Sequence, residues 1–264
     1  METDEMQKLT PYQDVNDVIM FFSERLKNCL GNNLLGFYLT GSLSYGNFAP
    51  GRSDLDFQAV VNTPLSQREL ESVEHLHADM EKRYKQWAKR IECSYLPVAL
   101  LHEILPPKSP RPWWGHGVFY PEAPYGNEWI VNQYQLYNHG IALWGPDFKS
   151  LVKPIDIKEV QKACVRDLFQ EWEPKIKDSK SLEDSHFQSY LVLNLCRILN
   201  TVVRGSVAAK DISAAYVKTA YPQWKDLIET AENWHYGIPM TENESTIEFI
   251  KFVIGEVNAK HLLE

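Results

Sequence analysis

The sequence predicts an α/β first half, built on a mixed sheet flanked by helices, and an all-α second half. Two observations support this fold class. Before residue 150, short apolar segments of strand length alternate with amphipathic helical segments, whereas after Pro154 every periodic segment has helical spacing. We therefore expect two domains, residues 1–150 and residues 151–264.

The first half is predicted to contain three helices and three strands. Apolar residues recur at helical spacing from Asp14 to Leu30, and two later segments repeat the pattern. Three short runs rich in aromatic and β-branched residues are predicted as strands. The predicted helices are 14–30, 67–89 and 128–139, and the predicted strands are 34–40, 54–61 and 90–96. The stretch from Pro106 to Gly117 holds four prolines and two glycines, which predicts an irregular loop.

The second half is predicted to contain helices alone. Its apolar residues follow the helical period in five segments, and no run has the alternation of a strand. The predicted helices are 157–172, 184–204, 210–219, 222–236 and 243–262.

Composition limits the possible functions. The chain has 264 residues, of which 44% are hydrophobic and 12% aromatic, so it can bury a substantial core and is not mainly disordered. Its formal net charge of −8 argues against broad nucleic-acid binding, which needs a basic surface. A neutral or cationic small molecule is the expected partner.

Targeting signals and cysteine motifs are not apparent. No segment approaches the roughly 18 apolar residues that cross a bilayer, so no membrane partner is expected. The N-terminal sequence Met-Glu-Thr-Asp-Glu-Met lacks the basic start of a signal peptide, which predicts a cytoplasmic protein. Four dispersed cysteines form no C-x-x-C pair, which argues against a zinc site or a disulfide framework. The sequence sets no oligomeric state.

Residues suited to phosphate and metal chemistry surround the first two predicted strands. The first strand ends at Gly41 and Ser42, whose backbone N–H groups would begin a short helix and favour phosphate oxygens. The second strand begins at Asp54. Because strand side chains alternate, Asp54 and Asp56 are expected on one face, about 7 Å apart, where two carboxylates suit Mg²⁺.

A third carboxylate, Glu92, is predicted in the middle of the third strand. If this strand pairs beside the one that bears Asp54 and Asp56, with Glu92 on the same face, three acids converge on one metal site. Each feature alone has a simpler interpretation, because an Asp-x-Asp is usually a turn or strand-edge pair and a lone strand glutamate usually faces solvent. Their combination is rare and favours a metal-dependent site.

The order of these features resembles the signature of the polymerase-β-like nucleotidyltransferase superfamily: Gly-Ser, a loop, Ser-Asp-x-Asp between apolar strands, and a strand glutamate about 35 residues later. Three later blocks, 141–146, 191–199 and 205–216, are similar to the bacterial aminoglycoside adenylyltransferases that modify spectinomycin and streptomycin. The resemblance covers nearly the whole chain. It implies a nucleotidyltransferase domain and a helical domain that bind ATP and drug in the cleft between them.

The resemblance also implies a role for each matching residue. The carboxylates of Asp54 and Asp56 would hold two magnesium ions, and Glu92 would act as the base and as a further metal ligand. The implied nucleotide contacts come from both halves: Gly41, Ser42, Ser53, Arg197 and Lys210. Cations there suit ATP, which carries about four negative charges. A structural salt bridge is the alternative for Arg197.

Three residues are candidate acceptor contacts. Glu128 matches the position of a family carboxylate that faces the substrate, although an ordinary first-turn helix acid is the alternative. Trp114 would contribute to an aromatic wall, although tryptophans in a proline-rich loop more often cover a core. Glu183 matches only loosely an acidic position of the members that accept streptomycin, so spectinomycin is the preferred acceptor of the two.

The predicted reaction is attack of an acceptor hydroxyl on the α-phosphorus of ATP, with transfer of AMP and release of pyrophosphate. Two other functions stay open. One is a nucleotidyltransferase-like regulator that modifies a protein partner or a non-antibiotic alcohol, and the other is an inactive binding module that keeps the fold. The three acids argue against the inactive module, and the large helical half argues against a short regulator.

Overall fold

The computed structural model describes residues 9–260. The acidic N-terminal hexapeptide and the last residues of the helix predicted over 243–262 lie outside this range. None of the helices within it is long and apolar enough to span a bilayer.

A six-stranded mixed sheet forms the centre of the first half, in the strand order β5-β4-β3-β2-β1-β6. The strands are β1 (Leu34–Thr40), β2 (Leu55–Val61), β3 (Ile91–Pro97), β4 (Arg111–Gly115), β5 (Val118–Ala123) and β6 (Ile141–Trp144). Strands β2 and β3 pair in parallel, and the other neighbours are antiparallel. The predicted α/β class of the first half is confirmed.

Helices cover both faces of this sheet. On one face, α1 (Gln13–Leu30) and α3 (Gln67–Arg83) pack their apolar sides into a core shared with β1, β2 and β3. A capping box in which Ser66 and Glu69 satisfy each other's backbone N–H groups fixes the start of α3. On the other face, α4 (Trp129–His139) packs against a smaller core. The short helix α2 (Gly41–Ser44) directly follows β1, as predicted.

The second half consists of helices, as predicted. They are α5 (Ile157–Asp167), α6 (Ser185–Val202), α7 (Lys210–Ala220), α8 (Lys225–Asn233) and α9 (Asn243–Ala259). Helix α6 lies at the centre, packed against the other four. A helix that is buried nearly all round must be apolar nearly all round, which explains its run of leucine and valine.

Three strands were not predicted. Strand β4 lies within the expected loop, and its pairing with β5 is irregular between Arg111 and Trp113. Pro112 occupies that irregularity, where its missing N–H group does not interrupt a regular ladder. The edge strands β5 and β6 are too short or too exposed to show clear alternation.

Several predicted helices end earlier than expected. The helix predicted over 67–89 stops at Arg83, and the one predicted over 222–236 is regular only in α8. The helix predicted over 157–172 divides into α5 and a π-helical segment, Leu168–Trp172. Helix α4 packs directly on α5, so the two halves share a core there, and the division at residue 150 stays a prediction.

Candidate active site

Strands β2 and β3 bring the predicted acids together. In their parallel register Asp56 lies directly beside Glu92. Paired residues of neighbouring strands point to the same face, so both carboxylates lie on one face of the sheet. Asp54, just before β2, is close enough that its charge raises the pKa of both Asp56 and Glu92. The expected strand pairing with a shared face is therefore present for Asp56 and Glu92, and a metal site shared by all three acids stays a prediction.

Burial makes this cluster electrostatically costly. Burial, together with the charge of Asp54, raises the pKa of Asp56 to about 7. Burial and then the charges of Asp56 and Asp54 raise the pKa of Glu92 to about 8. Since like charges in a space with little water repel strongly, the cluster favours a bound cation.

Gly41 determines how closely the end of β1 approaches the acids. Its φ of +64° lies in the left-handed region that favours glycine. A Cβ atom at this position would lie 1.9 Å from Oδ2 of Asp56. Glycine therefore permits both the turn into α2 and the contact with the Asp56 carboxylate.

Asp54 also contacts a residue of the second half. Its Oδ1 atom lies 3.6 Å from Nε of Arg90 and accepts a hydrogen bond of 3.4 Å from the hydroxyl of Tyr236. The Arg90 guanidinium lies 5.2 Å from the centre of the Tyr236 ring, and the ring of His186 lies 5.3 Å from it. The sequence interpretation did not include Arg90, His186 or Tyr236, because each belongs to a different segment and no local motif connects them.

The charge of Lys210, a residue of the second half, acts on all three acids, and Arg197 lies close enough to act on Lys210. Lys210 begins α7, and burial and the charge of Arg197 lower its pKa to about 8, while Asp56 and Asp54 oppose this shift. Arg197 belongs to α6, and none of the salt bridges found within residues 9–260 includes it. The alternative of a structural salt bridge for Arg197 therefore has no support.

The donor set suits a hard divalent cation. All the acids of the cluster offer carboxylate oxygens, the ligands that Mg²⁺ prefers, and the cluster carries excess negative charge. However, among the described residues no three His, Cys, Asp or Glu side chains are arranged closely enough to share one metal ion. Asp54 is turned toward Arg90 and Tyr236 instead. A magnesium site therefore fits the chemistry of Asp54, Asp56 and Glu92 but is not fully assembled in this arrangement.

The loop before Asp54 is held by its own hydrogen bonds. Ser53 Oγ accepts a bond of 3.0 Å from the backbone N–H of Ala49, and the N–H groups of Arg52 and Ser53 both donate to the Ala49 oxygen. The Ser42 oxygen accepts from the N–H of Asn47. Phosphate contacts for Ser42 and Ser53 stay predictions.

Glu128 lies near Arg111, and its contact with an acceptor stays a prediction. It immediately precedes α4, and its carboxylate folds back over Gly126, where a Cβ atom would lie 2.0 Å from Glu128 Oε2. Its charge acts on Arg111, whose Nε donates to Ser94 Oγ. Since Ser94 lies two positions after Glu92 on β3, Arg111 and Glu128 lie beside the acid cluster.

The second half supplies another acid and an aromatic ring that the sequence did not indicate. Asp167 accepts hydrogen bonds from the Trp172 indole at 2.7 Å and from the Asn194 amide at 3.4 Å, and burial raises its pKa to about 6. Asp167 and Trp172 are five residues apart, and the π-helical turn between them brings the indole N–H onto the carboxylate. The charges of Asp167 and Glu128 both act on Tyr190, which is partly exposed.

The two other predicted acceptor contacts, Trp114 and Glu183, differ in burial. Trp114 is only 5% exposed and stacks on the buried ring of His77, with ring centres 4.7 Å apart, so it belongs to the core and not to an acceptor wall. The prediction for Trp114 is wrong, because β4 turns this side chain inward. Glu183 lies at an exposed turn before α6 and stays a prediction.

Comparisons with known proteins show what the chain is similar to. Residues 150–257 match the family model of the aminoglycoside adenylyltransferase C-terminal domain. The chain is 25% identical over 227 residues to the spectinomycin 9-adenylyltransferase of Enterococcus faecalis, which covers 81% of this chain and 82% of the relative. The chain is therefore similar to aminoglycoside adenylyltransferases over most of its length. The resemblance expected from the sequence is thus confirmed.

Two further comparisons support the assignment of this adenylyltransferase-like chain. It is 23% identical over 208 residues to the spectinomycin 9-adenylyltransferase of Staphylococcus aureus, covering 75% of this chain and 76% of the relative. A crystal structure of an Enterococcus spectinomycin adenyltransferase with ATP and spectinomycin matches with a TM-score of 0.67 and 21% identity, over 92% of this chain and 98% of that one. This likeness shows the fold, including the helical second half.

Proposed function

We propose that this chain transfers AMP from ATP to a hydroxyl group of an aminocyclitol, with spectinomycin preferred over streptomycin, and releases pyrophosphate. The observation that carries the proposal is the juxtaposition of half-buried acids and a half-buried cation: Asp56 and Glu92 lie side by side on the sheet, and the charge of Lys210 from the second half acts on both. Acids that hold a metal and cations that hold phosphates are the two requirements of nucleotidyl transfer. The relatives named for spectinomycin adenylylation point to the same reaction.

Magnesium is part of this proposal. Asp54 and Asp56 would hold two ions, with Glu92 as a further ligand, because their buried oxygens carry unbalanced charge. When bound, the ions supply positive charge to the phosphate oxygens. A hydrogen bond from Tyr236 engages Asp54 in the present arrangement, so the Asp54 side chain must turn to complete the site.

Glu92 is the proposed general base. Its carboxylate lies beside Asp56 on the sheet face that looks into the cleft, and it would accept the proton of the attacking hydroxyl. Its pKa, raised by burial and by the neighbouring acids, suits proton transfer near neutral pH.

The triphosphate would be bound from both sides of the cleft. Lys210 and Arg197 carry the charge, and the backbone N–H groups around Gly41 and Ser42, together with Ser53, would contact phosphate oxygens. The division at residue 150 is part of the proposal, because each side would contribute to one site. A cytoplasmic location, where ATP is available, is also proposed.

The acceptor class follows from charge. Glu128 and Asp167 act together on Tyr190, which gives this side of the cleft an excess of carboxylates. Carboxylates bind ammonium groups with charge-assisted hydrogen bonds, so an amine-bearing polyol fits here. Glu183, which is exposed, is a further proposed contact of the acceptor.

The test is incubation of the full chain with ATP, Mg²⁺ and each of the two drugs, followed by mass spectrometry of the products. An AMP adduct on spectinomycin, with little on streptomycin, is the expected result. An adduct on streptomycin alone would reverse the preference. Absence of adduct on any aminocyclitol or aminoglycoside would contradict the acceptor assignment, and ATP binding would then decide whether the nucleotide site stands.

A further inference from the structure

A contact across the cleft joins the loop that carries Asp54 to the end of α8. Nη1 of Arg52 donates a hydrogen bond to the main-chain oxygen of Glu232, 180 residues away in the sequence. Glu232 belongs to the last turn of α8, where carbonyl oxygens lack an intrahelical donor. Because this end of a helix also carries the negative end of the dipole, a guanidinium is well suited to bind it.

A second contact joins the same two segments. Tyr236, four residues after Glu232, donates its hydroxyl to Asp54, two residues after Arg52. Arg90 of the first half lies over the Tyr236 ring. Residues 52–54 and residues 232–236 therefore meet at two points, and the Arg52 bond is the one that leaves the Asp54 carboxylate free to turn toward a metal.

Each side of this contact is anchored within its own half. Arg52 and Ser53 donate their N–H groups to the Ala49 oxygen at 3.0 and 2.8 Å. The side chain of Glu232 accepts a bond of 2.5 Å from Lys218, which ties the end of α8 to α7. Helix α7 begins at Lys210, so the contact connects the loop of Asp54 to the helix that carries the proposed phosphate-binding lysine.

We propose that Arg52 is a positioning residue: its bond to Glu232 holds the Asp54 loop and the helical half in the relative position that binding of Mg·ATP requires. We call the Arg52–Glu232 contact the clamp. Its consequence for nucleotide binding rests on the proposed function, whereas the contact itself does not. Arg52 touches neither acceptor nor acid in this role. It acts through the backbone of the loop and through α8.

Hydrogen exchange of the free protein tests the clamp without nucleotide. In Arg52→Ala, amides of residues 53–56 and of residues 233–237 should both exchange at least about tenfold faster, because one charge-assisted bond holds both segments. Arg52→Lys, which keeps the charge and one donor at a different geometry, should lie between Arg52→Ala and the unchanged chain. Arg68→Ala, an exposed arginine on α3, is the matched control and should change neither segment.

Binding of Mg·ATP tests the consequence. The concentration of Mg²⁺ for half-maximal ATP binding should rise about tenfold in Arg52→Ala, with the melting temperature nearly unchanged. Unaltered exchange in residues 233–237 would overturn the clamp even if nucleotide affinity falls, because Arg52 would then bind phosphate directly. Faster exchange with unaltered Mg·ATP binding would overturn its positioning role. If exchange and binding both respond but the unchanged chain modifies no acceptor, the clamp stands and the proposed acceptor reaction fails.

Discussion

Asp56 and Glu92 lie side by side in the parallel register of β2 and β3, with a pKa of about 7 and about 8, respectively. Two half-buried acids placed side by side destabilise the fold unless a bound cation or a shared proton reduces the repulsion between their charges. Pairs of carboxylates with raised pKa values therefore occur mostly at functional sites. This relationship therefore leads to the first two predictions.

Asp56→Asn should abolish AMP transfer while the fold survives. The amide keeps the shape of the side chain but removes charge needed for the metal, so turnover should fall at least about a hundredfold. Since repulsion with Glu92 is also removed, the melting temperature should stay equal or rise. Calorimetry with Mg·ATP and a thermal melt check both parts, with exposed Asp79→Asn as the control. Normal affinity and turnover in Asp56→Asn would end the metal assignment.

Glu92→Gln should affect chemistry more than binding. A general base acts on the hydroxyl proton in the transition state, so turnover should fall at least about a hundredfold, with Mg·ATP affinity changed only a few fold. Steady-state kinetics beside calorimetry separate the two effects, and exposed Glu122→Gln serves for comparison. Loss of Mg·ATP binding in a folded Glu92→Gln protein would instead identify Glu92 chiefly as a metal ligand.

Gly41→Ala should weaken Mg·ATP binding more than Gly46→Ala. Both glycines have positive φ angles, +64° and +80°, so each alanine brings a similar backbone strain of about 1 kcal/mol. Only at Gly41 would the added Cβ collide with the Asp56 carboxylate, whereas nothing lies within 4 Å at Gly46. Chemical unfolding and nucleotide titration of the two variants isolate the collision. Equal effects in both would show that the close approach to Asp56 has no role.

His77 should make stability depend on pH. It is fully buried, its Nε2 atom lies 2.7 Å from the Tyr95 hydroxyl, and burial lowers its pKa from 6.5 to about 3. Between these two pH values His77 is protonated in the unfolded chain but neutral in the folded chain. The contribution of neutral His77 to the free energy of unfolding is therefore fully present above pH 6.5 and is lost as the pH decreases toward 3. From pH 7.5 to 5.0 the unchanged protein should lose about 2 kcal/mol more than His77→Gln.

Urea unfolding at the two pH values measures this difference for His77. Exposed His235→Gln should follow the unchanged protein, since its ring is hydrated in both states. Parallel loss of stability in His77→Gln and the unchanged protein would mean that the buried ring does not control this window.

Local patterns predicted the part of the site that neighbouring residues build. Periodicity and the Ser-Asp-x-Asp motif predicted β1, β2 and β3 and the order of Asp54, Asp56 and Glu92. The pairing of β2 with β3 was a condition and not a prediction, because the pattern of side chains shows which face of a strand is buried and not which strand lies beside it.

The parts of the site that the sequence did not predict depend on residues that are distant in the chain. Tyr236 and His186 reach the site, and Arg52 meets its partner Glu232, only through the docking of the second half, which no periodicity encodes. Trp114 was misplaced because a proline-rich stretch conceals a strand, and only the pairing of β4 with β3 turns the ring toward His77.

The π-helical turn that brings Trp172 onto Asp167 has an evolutionary consequence. The groups on the proposed acceptor side, Asp167 and Glu128, lie at helix ends, whereas Asp56 and Glu92, the acids of the proposed nucleotide chemistry, belong to central strands. Substitutions in those helices can therefore alter which drug is modified while the reaction centre persists unchanged. Divergence of resistance spectra among such proteins should accumulate in the helical turns around the cleft, and the β2–β3 ladder should change most slowly.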